Sequence, residues 1–253
     1  MRHSLMLLAL LPLLAFAERP SVVFLGAHPD DTEGFAGLAF LLAEDYELHV
    51  VDLTRGELGL GPGGLADGST ATIRTREEES ACKLLGAKLH FLGETDGSAC
   101  ASSNAVARLA KILTETKPAA VFTHWPLDAH ADHMQCAAVM ANAIRKSGVK
   151  PEQYFYEVLQ AQTRYWNPLY SVDITAVMDR KAELLRCYAC QNPNDEIVTE
   201  KRRQAELRGR ERTPPVKYAE TFTTFDGKPI EGGVLSSLGD LVVTRGDAPY
   251  PRE

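Results

Sequence analysis

No run of twenty apolar residues occurs anywhere in the 253-residue chain, and a bilayer's hydrocarbon core takes about 20 to cross. Stable membrane insertion is therefore not expected. Positive charge is also in short supply. Lys and Arg number 27 against 34 Asp and Glu, a formal net charge of −7, so the chain lacks the basic face that a phosphate backbone requires, and a nucleic-acid partner is not expected. Cysteine is sparse and odd in number: Cys82, Cys100, Cys136, Cys187 and Cys190 cannot all pair within one chain. Only one C-x-x-C is present, so a four-cysteine zinc site has no second half. That pair, Cys187 and Cys190, falls in a helical pattern with Leu184, Leu185 and Tyr188, and reads as two packed thiols or a local disulfide. Low-complexity linkers and internal repeats are missing as well. With 45% apolar and 24% charged residues, the composition is that of a globular protein with one sizeable core.

What is present begins with an address. Met1-Arg2-His3 is a short basic start, Leu5 to Leu14 an apolar run broken by Pro12, and Ala15-Phe16-Ala17 a small-x-small site ahead of Glu18-Arg19. This is the pattern of a secretory signal peptide cleaved after Ala17. It predicts export to the periplasm or beyond, where thiols can oxidise, and a single folded domain over residues 18–253.

Beyond the leader, strand-like and helix-like segments alternate. Ser21 to Gly26, Leu48 to Leu53, Lys88 to Leu92 and Ala119 to Thr123 read as strands; Gly34 to Glu44, Ile73 to Gly86, Asn104 to Thr116 and His130 to Lys146 read as helices. The first strand is apolar throughout, as a strand covered on both faces must be. The alternation predicts an α/β fold, a Rossmann-like, doubly wound, mostly parallel sheet. The last third is less regular, with strands expected at Tyr154 to Leu159 and Leu169 to Val172 and helices at Ala176 to Tyr188 and Ile197 to Arg208. Gly56 to Gly64 holds five glycines in nine residues, too many for a regular element, and reads as a loop that either closes over a ligand or simply covers the surface.

The strongest chemical signal is Ala27-His28-Pro29-Asp30-Asp31-Thr32-Glu33, directly after the first strand. Open parallel sheets bind ligands just beyond the carboxyl ends of their strands, and this segment brings an imidazole and adjacent carboxylates there. A plain turn would account for Pro-Asp-Asp but not for the histidine. The second signal, His124-Trp-Pro-Leu-Asp128-Ala-His130-Ala-Asp132-His133, follows the fourth strand. If the helix has begun by His130, then His130 and His133 share one face; the alternative is an Asp128 helix cap beside solvated histidines. Together the segments offer a three-donor N/O set of the kind that leaves a metal position open for chemistry.

These two segments resemble the signatures of the zinc-dependent N-acetylglucosamine-type deacetylases, the LmbE-like or PIG-L-like family, whose motifs are AHPDD with a nearby Glu and H-x-D-H. Thr54-Arg55-Gly56-Glu57, Ile73-Arg74 with Glu77 before Leu85-Gly86, Phe91-Leu92-Gly93 with Asp96-Gly97, and Val172-Asp173-Ile174-Thr175 follow the family's pattern in the same order. The resemblance implies a zinc ion, or another divalent metal, held by His28, Asp31 and His133. It also implies Asp30 as general base and His130, protonated, as acid or oxyanion partner. Neighbouring carboxylates project differently, so one can bind a metal while the other accepts a proton from water that the ion has made acidic. Asp132 is expected to orient an imidazole or to cap the helix. Arg74 and Asp96 are expected to contact the substrate, with Arg74 otherwise pairing with Glu77 or Glu78 on its own helix. His124 ranks behind His133 as a ligand, and His49 and His90 read as core or surface histidines. The chain departs from the family in having Thr32 between Asp31 and Glu33, and Tyr188-Ala-Cys190-Gln191 where members carry His and Ser.

The implied reaction is hydrolysis of an N-acetylated amino sugar or glycoconjugate to acetate and a free amine. A metal-dependent esterase or phosphoesterase, and a non-catalytic carbohydrate-binding protein, are the competing readings.

Overall fold

The computed structural model describes residues 19–59, 68–159 and 161–245; the expected leader at residues 1–17 and most of the glycine-rich loop lie outside them. Eight strands form one sheet in the order β3-β2-β1-β4-β5-β7-β6-β8. The first five, β1 (Ser21–Gly26), β2 (Glu47–Asp52), β3 (Lys88–Phe91), β4 (Ala120–His124) and β5 (Glu152–Tyr156), run parallel. In β1, Val22 and Phe24 face one apolar core while Val23 and Leu25 face the other. That alternation explains why the strand has no polar face to show in sequence.

Helices cover both faces. Residues of α1 (Ala36–Leu42), α2 (Thr70–Leu85), α5 (Met178–Leu185) and α6 (Glu196–Glu211) belong to the first core, and those of α3 (Ser103–Thr116) and α4 (Ala131–Ser147) to the second. The mostly parallel α/β sheet is as expected, but its far edge is not parallel. Strands β6 (Tyr170–Asp173), β7 (Ala219–Thr223) and β8 (Val242–Thr244) join antiparallel to their neighbours. β7 and β8 escaped the sequence reading because Ala-Glu-Thr-Phe-Thr and Val-Val-Thr are short and polar enough to pass for loop. The helix expected from Ala176 to Tyr188 is a 3-10 turn followed by α5, which ends at Leu185, so Cys187 and Cys190 lie beyond it, both as free thiols. No helix among the described residues is long and apolar enough to cross a membrane.

Glu220 of β7 ties the antiparallel edge to the parallel half. Its carboxylate accepts hydrogen bonds from the Gly37 and Leu38 amides at 2.8 Å and from Lys181 Nζ at 2.6 Å. It thus satisfies orphan donors in the first turn of α1 with a charge of the sign the helix dipole favours. Gly37 is required there, since a Cβ would sit 2.7 Å from Glu220 Oε1. Replacing Glu220 with Ala would strand a buried ammonium and two amides. A loss of about 3–5 kcal/mol is expected, seen as a fall in melting temperature on the order of 10 °C.

Candidate metal centre

The strand order 3-2-1-4-5 reverses direction between β1 and β4, and both ligand-rich segments leave the sheet at that point, where a crevice forms. After β1 the chain turns sharply through Asp30, at φ 104°, into a single 3-10 turn, Asp31–Gly34. A left-handed conformation at a non-glycine residue is strained by about 1–3 kcal/mol. Three contacts hold it: Glu78 accepts from the Asp30 amide at 3.3 Å, Arg74 pairs with Asp30 Oδ2 at 2.9 Å, and the Arg74 guanidinium also bonds to the Pro29 carbonyl.

Asp31 points its carboxylate inward. Oδ2 accepts from the Ala27 and His28 amides at 2.7 and 2.8 Å and from His124 Nε2 at 3.0 Å, which saturates it. Oδ1 faces His133 Nε2 at 3.3 Å. Oδ2 lies 3.6 Å from His28 Nδ1, and the His28 and His133 rings have centroids 5.3 Å apart. The two distant stretches therefore converge on one spot. The 3.3 Å between Asp31 Oδ1 and His133 Nε2 matches the edge of a tetrahedron with ligands about 2.0–2.1 Å from its centre, roughly 3.4 Å.

The outer partners set which nitrogens are free. His28 Nε2 faces Asp132 Oδ2 at 3.2 Å and Asp96 Oδ1 at 3.1 Å, leaving Nδ1 as the donor toward Asp31. His133 Nδ1 faces Asp128 Oδ1 at 3.1 Å, leaving Nε2. Carboxylates behind metal-binding imidazoles fix tautomer and raise ligand basicity. The surroundings are built for a cation. Burial alone would lower the pKa of His28, but Asp132, Asp31 and Asp96 push it up to about 12. Burial is likewise overcome at His133, where Asp31 and Asp128 push it up to about 9. With no ion these rings take up protons, so the donor set fits a divalent metal both in chemistry and in charge.

Three other groups of donors overlap this one: Asp31, His124 and His133; His28, His130 and His133; and His28, Asp96 and Asp132. His124 is 1% exposed and does not line the cavity that His28, His130 and His133 share. Its Nε2 already meets the saturated oxygen of Asp31, so it buttresses the site from behind.

The cavity encloses about 410 Å³, within the range of small-molecule pockets. Asp30, Asp31, Glu33, Asp96, His130 and Arg74 all line it. Burial raises the Asp30 carboxyl, Arg74 lowers it and Asp31 raises it again, to about 7. His130 is the residue before α4 rather than part of its first turn, yet its ring and that of His133 lie together as expected, stacked at 4.7 Å. Burial and the neighbouring His133 and His28 lower the His130 pKa, which disfavours the protonated form of the ring. Its Nδ1 accepts from the Asp132 amide at 3.3 Å, which leaves Nε2–H as a donor.

Arg74 and Asp96, expected at the substrate, sit in the cavity but are largely spent on the protein. Arg74 does not pair with Glu77 or Glu78; it grips Asp30 and bonds the Gly56 carbonyl at 3.2 Å. Gly56, at φ 65°, leaves room for that guanidinium, which a Cβ would meet at 2.5 Å. Asp96 divides its oxygens between His28 and the Leu58 amide, and these bonds outweigh burial and lower its pKa to about 2. Asp132 adds the Gly97 and Ala99 amides to its His28 contact.

Sequence reasoning saw Asp128 only as a possible helix cap, because it stands five positions before His133 and only the loop's fold joins them. Its Oδ1 also accepts from the His130 amide at 2.9 Å, and its Oδ2 from Thr163 Oγ1 at 3.1 Å. Asp128→Ala is expected to weaken metal affinity about 10–100-fold, measured by competition with a chelator of known affinity.

This chain belongs to the PIG-L family of GlcNAc-PI de-N-acetylases, whose profile matches residues 23–144. Over 190 residues it is 30% identical to 4-oxalmesaconate hydratase from Pseudomonas putida, a match covering 68% of this chain and 74% of that one. Among solved structures it is similar to N,N'-diacetylchitobiose deacetylase from Pyrococcus horikoshii, with 26% identity, a TM-score of 0.69 and coverage of 82% and 84% of the two chains. It is also similar to 4-carboxy-2-hydroxymuconate hydratase from Pseudomonas putida, with 25% identity, a TM-score of 0.74 and coverage of 84% and 98%. The family is thus one of enzymes, and it spans both deacetylation and hydration.

Proposed function

We propose that this chain is an exported, metal-dependent N-deacetylase that cleaves the acetamide of an N-acetylated amino sugar or glycoconjugate. His28 Nδ1, Asp31 Oδ1 and His133 Nε2 would hold the ion, with zinc the best match to two imidazoles and a carboxylate. When bound, such an ion polarises an acyl oxygen and brings the pKa of water from about 15.7 toward ~7. The observation that carries the proposal is the pairing of Asp30 with Arg74 at 2.9 Å, which aims a carboxylate of raised pKa into the cavity beside those ligands.

Asp30 takes one proton from the attacking water as its oxygen bonds to the acetyl carbon. The Nε2–H of His130 donates to the oxygen that gains negative charge. Asp30 then returns the proton to the departing nitrogen as the C–N bond breaks, so a neutral amine and acetic acid leave, the acid ionising in solution, and the carboxylate is restored. Arg74 keeps Asp30 in its strained turn throughout. Asp132 and Asp96 behind His28 and Asp128 behind His133 orient the ligands.

The 30% identical relative favours a second reading, hydration of an unsaturated acid. The lining argues against it. Asp30, Asp31, Glu33 and Asp96 face Arg74 alone among lysines and arginines in the described wall, and the guanidinium is engaged by Asp30 and backbone carbonyls. Glu33 is already paired with Lys201 at 3.1 Å and Arg74 with Asp30 at 2.9 Å, so the described wall offers a polycarboxylate no unpaired lysine or arginine, whereas a neutral sugar finds acceptors for its hydroxyls. The metal-analysed protein should release acetate from members of a panel of N-acetylated sugars. It should not bleach conjugated dienoate carboxylates, and it should be inactive on acetyl and phosphate esters of the same sugars. Bleaching without acetate release would establish the hydratase instead, and sugar binding without turnover would establish a binding protein.

A further inference from the structure

The antiparallel edge of the sheet carries a second cavity, of about 370 Å³, that shares no lining residue with the metal cavity. Ser171 of β6, Thr221 of β7 and Val243 of β8 form part of its wall, and the end of α6 with the residues after it forms the rest. Among the described residues, Arg208, Arg212 and Arg245 line it beside one carboxylate, Glu211, in a chain whose net charge is −7.

Basic residues at the end of a helix are ordinary, since they complement its dipole, and Arg208 is explained that way. Its guanidinium bonds both oxygens of Glu157 and one of Glu211, each at 2.7 Å, so it neutralises the two nearest carboxylates. Arg212 is different. It is 7% exposed and forms no ion pair among the described residues. Nη2 donates to the Asp240 carbonyl at 2.9 Å, and its buried Nε has no hydrogen-bond partner. Ser171 Oγ, on the same cavity wall, is likewise buried without a partner. Leaving a buried cationic N–H and a hydroxyl unmet is costly. Water would fill the space at about 30 Å³ per molecule, but it would leave the charge uncompensated.

We propose that this cavity binds a small tetrahedral oxyanion, a phosphate or sulfate group, either free or carried on a small molecule. Arg212 Nε and Ser171 Oγ are its donors. Guanidinium N–H groups match the geometry and charge of such oxyanions, and a serine hydroxyl adds a neutral donor. The inference is independent of the reaction assigned to the metal cavity.

The test is calorimetric titration of the metal-loaded, full-length protein with inorganic phosphate, sulfate and glucose 6-phosphate, with chloride at matched ionic strength as the blank. One saturable site is expected. Arg212→Gln and Ser171→Ala should each weaken it, Arg212→Gln by about tenfold or more. Ser171→Ala removes an oxygen that bonds nothing in the described structure, so it decides the matter even if Arg212→Gln fails to fold. Tighter binding of inorganic phosphate points to a free ion, and tighter binding of the sugar phosphate to a carried group. No saturable heat above the chloride blank overturns the proposal. So does binding that survives both substitutions, which is how an anion resting on the metal would behave.

Discussion

Asp30→Asn is expected to lower kcat/KM for deacetylation by about 10²–10⁴-fold, the usual contribution of a positioned general base, while leaving the bound metal unchanged. Asn is the choice over Ala because it tolerates the left-handed region better than most residues, and Asp30 sits at φ 104°. The amide keeps an oxygen for Arg74 but cannot take a proton from water. Acetate release, metal content and melting temperature would be measured on the same preparations. If Asp30 served only to shape the turn, Asn would restore most of the activity, and turnover within tenfold of wild type would remove it from the chemistry. Reduced metal content would show instead that Asp30 belongs to the ligand set.

The catalytic half of the fold was readable because its signals are local. Ser21 to Gly26 is apolar on every residue, which only a strand buried on both faces permits, and the parallel order follows from strands separated by helices. The candidate ligands could be picked out for the same reason: each motif sits immediately after a strand, so position in the sheet nearly determines position in the crevice. What failed to show depends on distant partners. Glu220 reads as one acid in a short polar segment, and its hold on α1 is visible only when β7 lies beside Lys181 and Gly37. Arg74 is a helix-surface arginine by spacing; in the folded chain it is 4% exposed, turned from its own helix toward Asp30. His130 was misplaced by one residue at a helix start, and that shift decides its tautomer. Sequence spacing identified the chemistry-bearing side chains, whereas which atom of each is free emerged only from the backbone amides around them.

Removing a ligand should have the largest effect of all, and it separates the group built on His28 from the group built on His124. His28→Ala and His133→Ala are each expected to reduce metal affinity by more than the roughly 10–100-fold that loss of an outer partner costs, leaving the purified proteins with little bound ion. His124→Phe is expected to retain the metal, because His124 stands behind Asp31 and outside the cavity. Loss of the ion in His124→Phe with retention in His28→Ala would reverse the assignment. Stability should follow occupancy. Asp31, Asp96, Asp128 and Asp132 are buried together, and their charge must be balanced by a metal or by protons on His28 and His133. Chelating the wild-type protein should therefore lower its melting temperature, since an ion at 100 times its Kd stabilises by about 2.7 kcal/mol. The alanine variants should melt below even the chelated wild type, because they lose the imidazoles that carry the substitute protons. If the variants and the chelated wild type melted together at the untreated temperature, these carboxylates would already be balanced without a cation, and the metal site would have no basis.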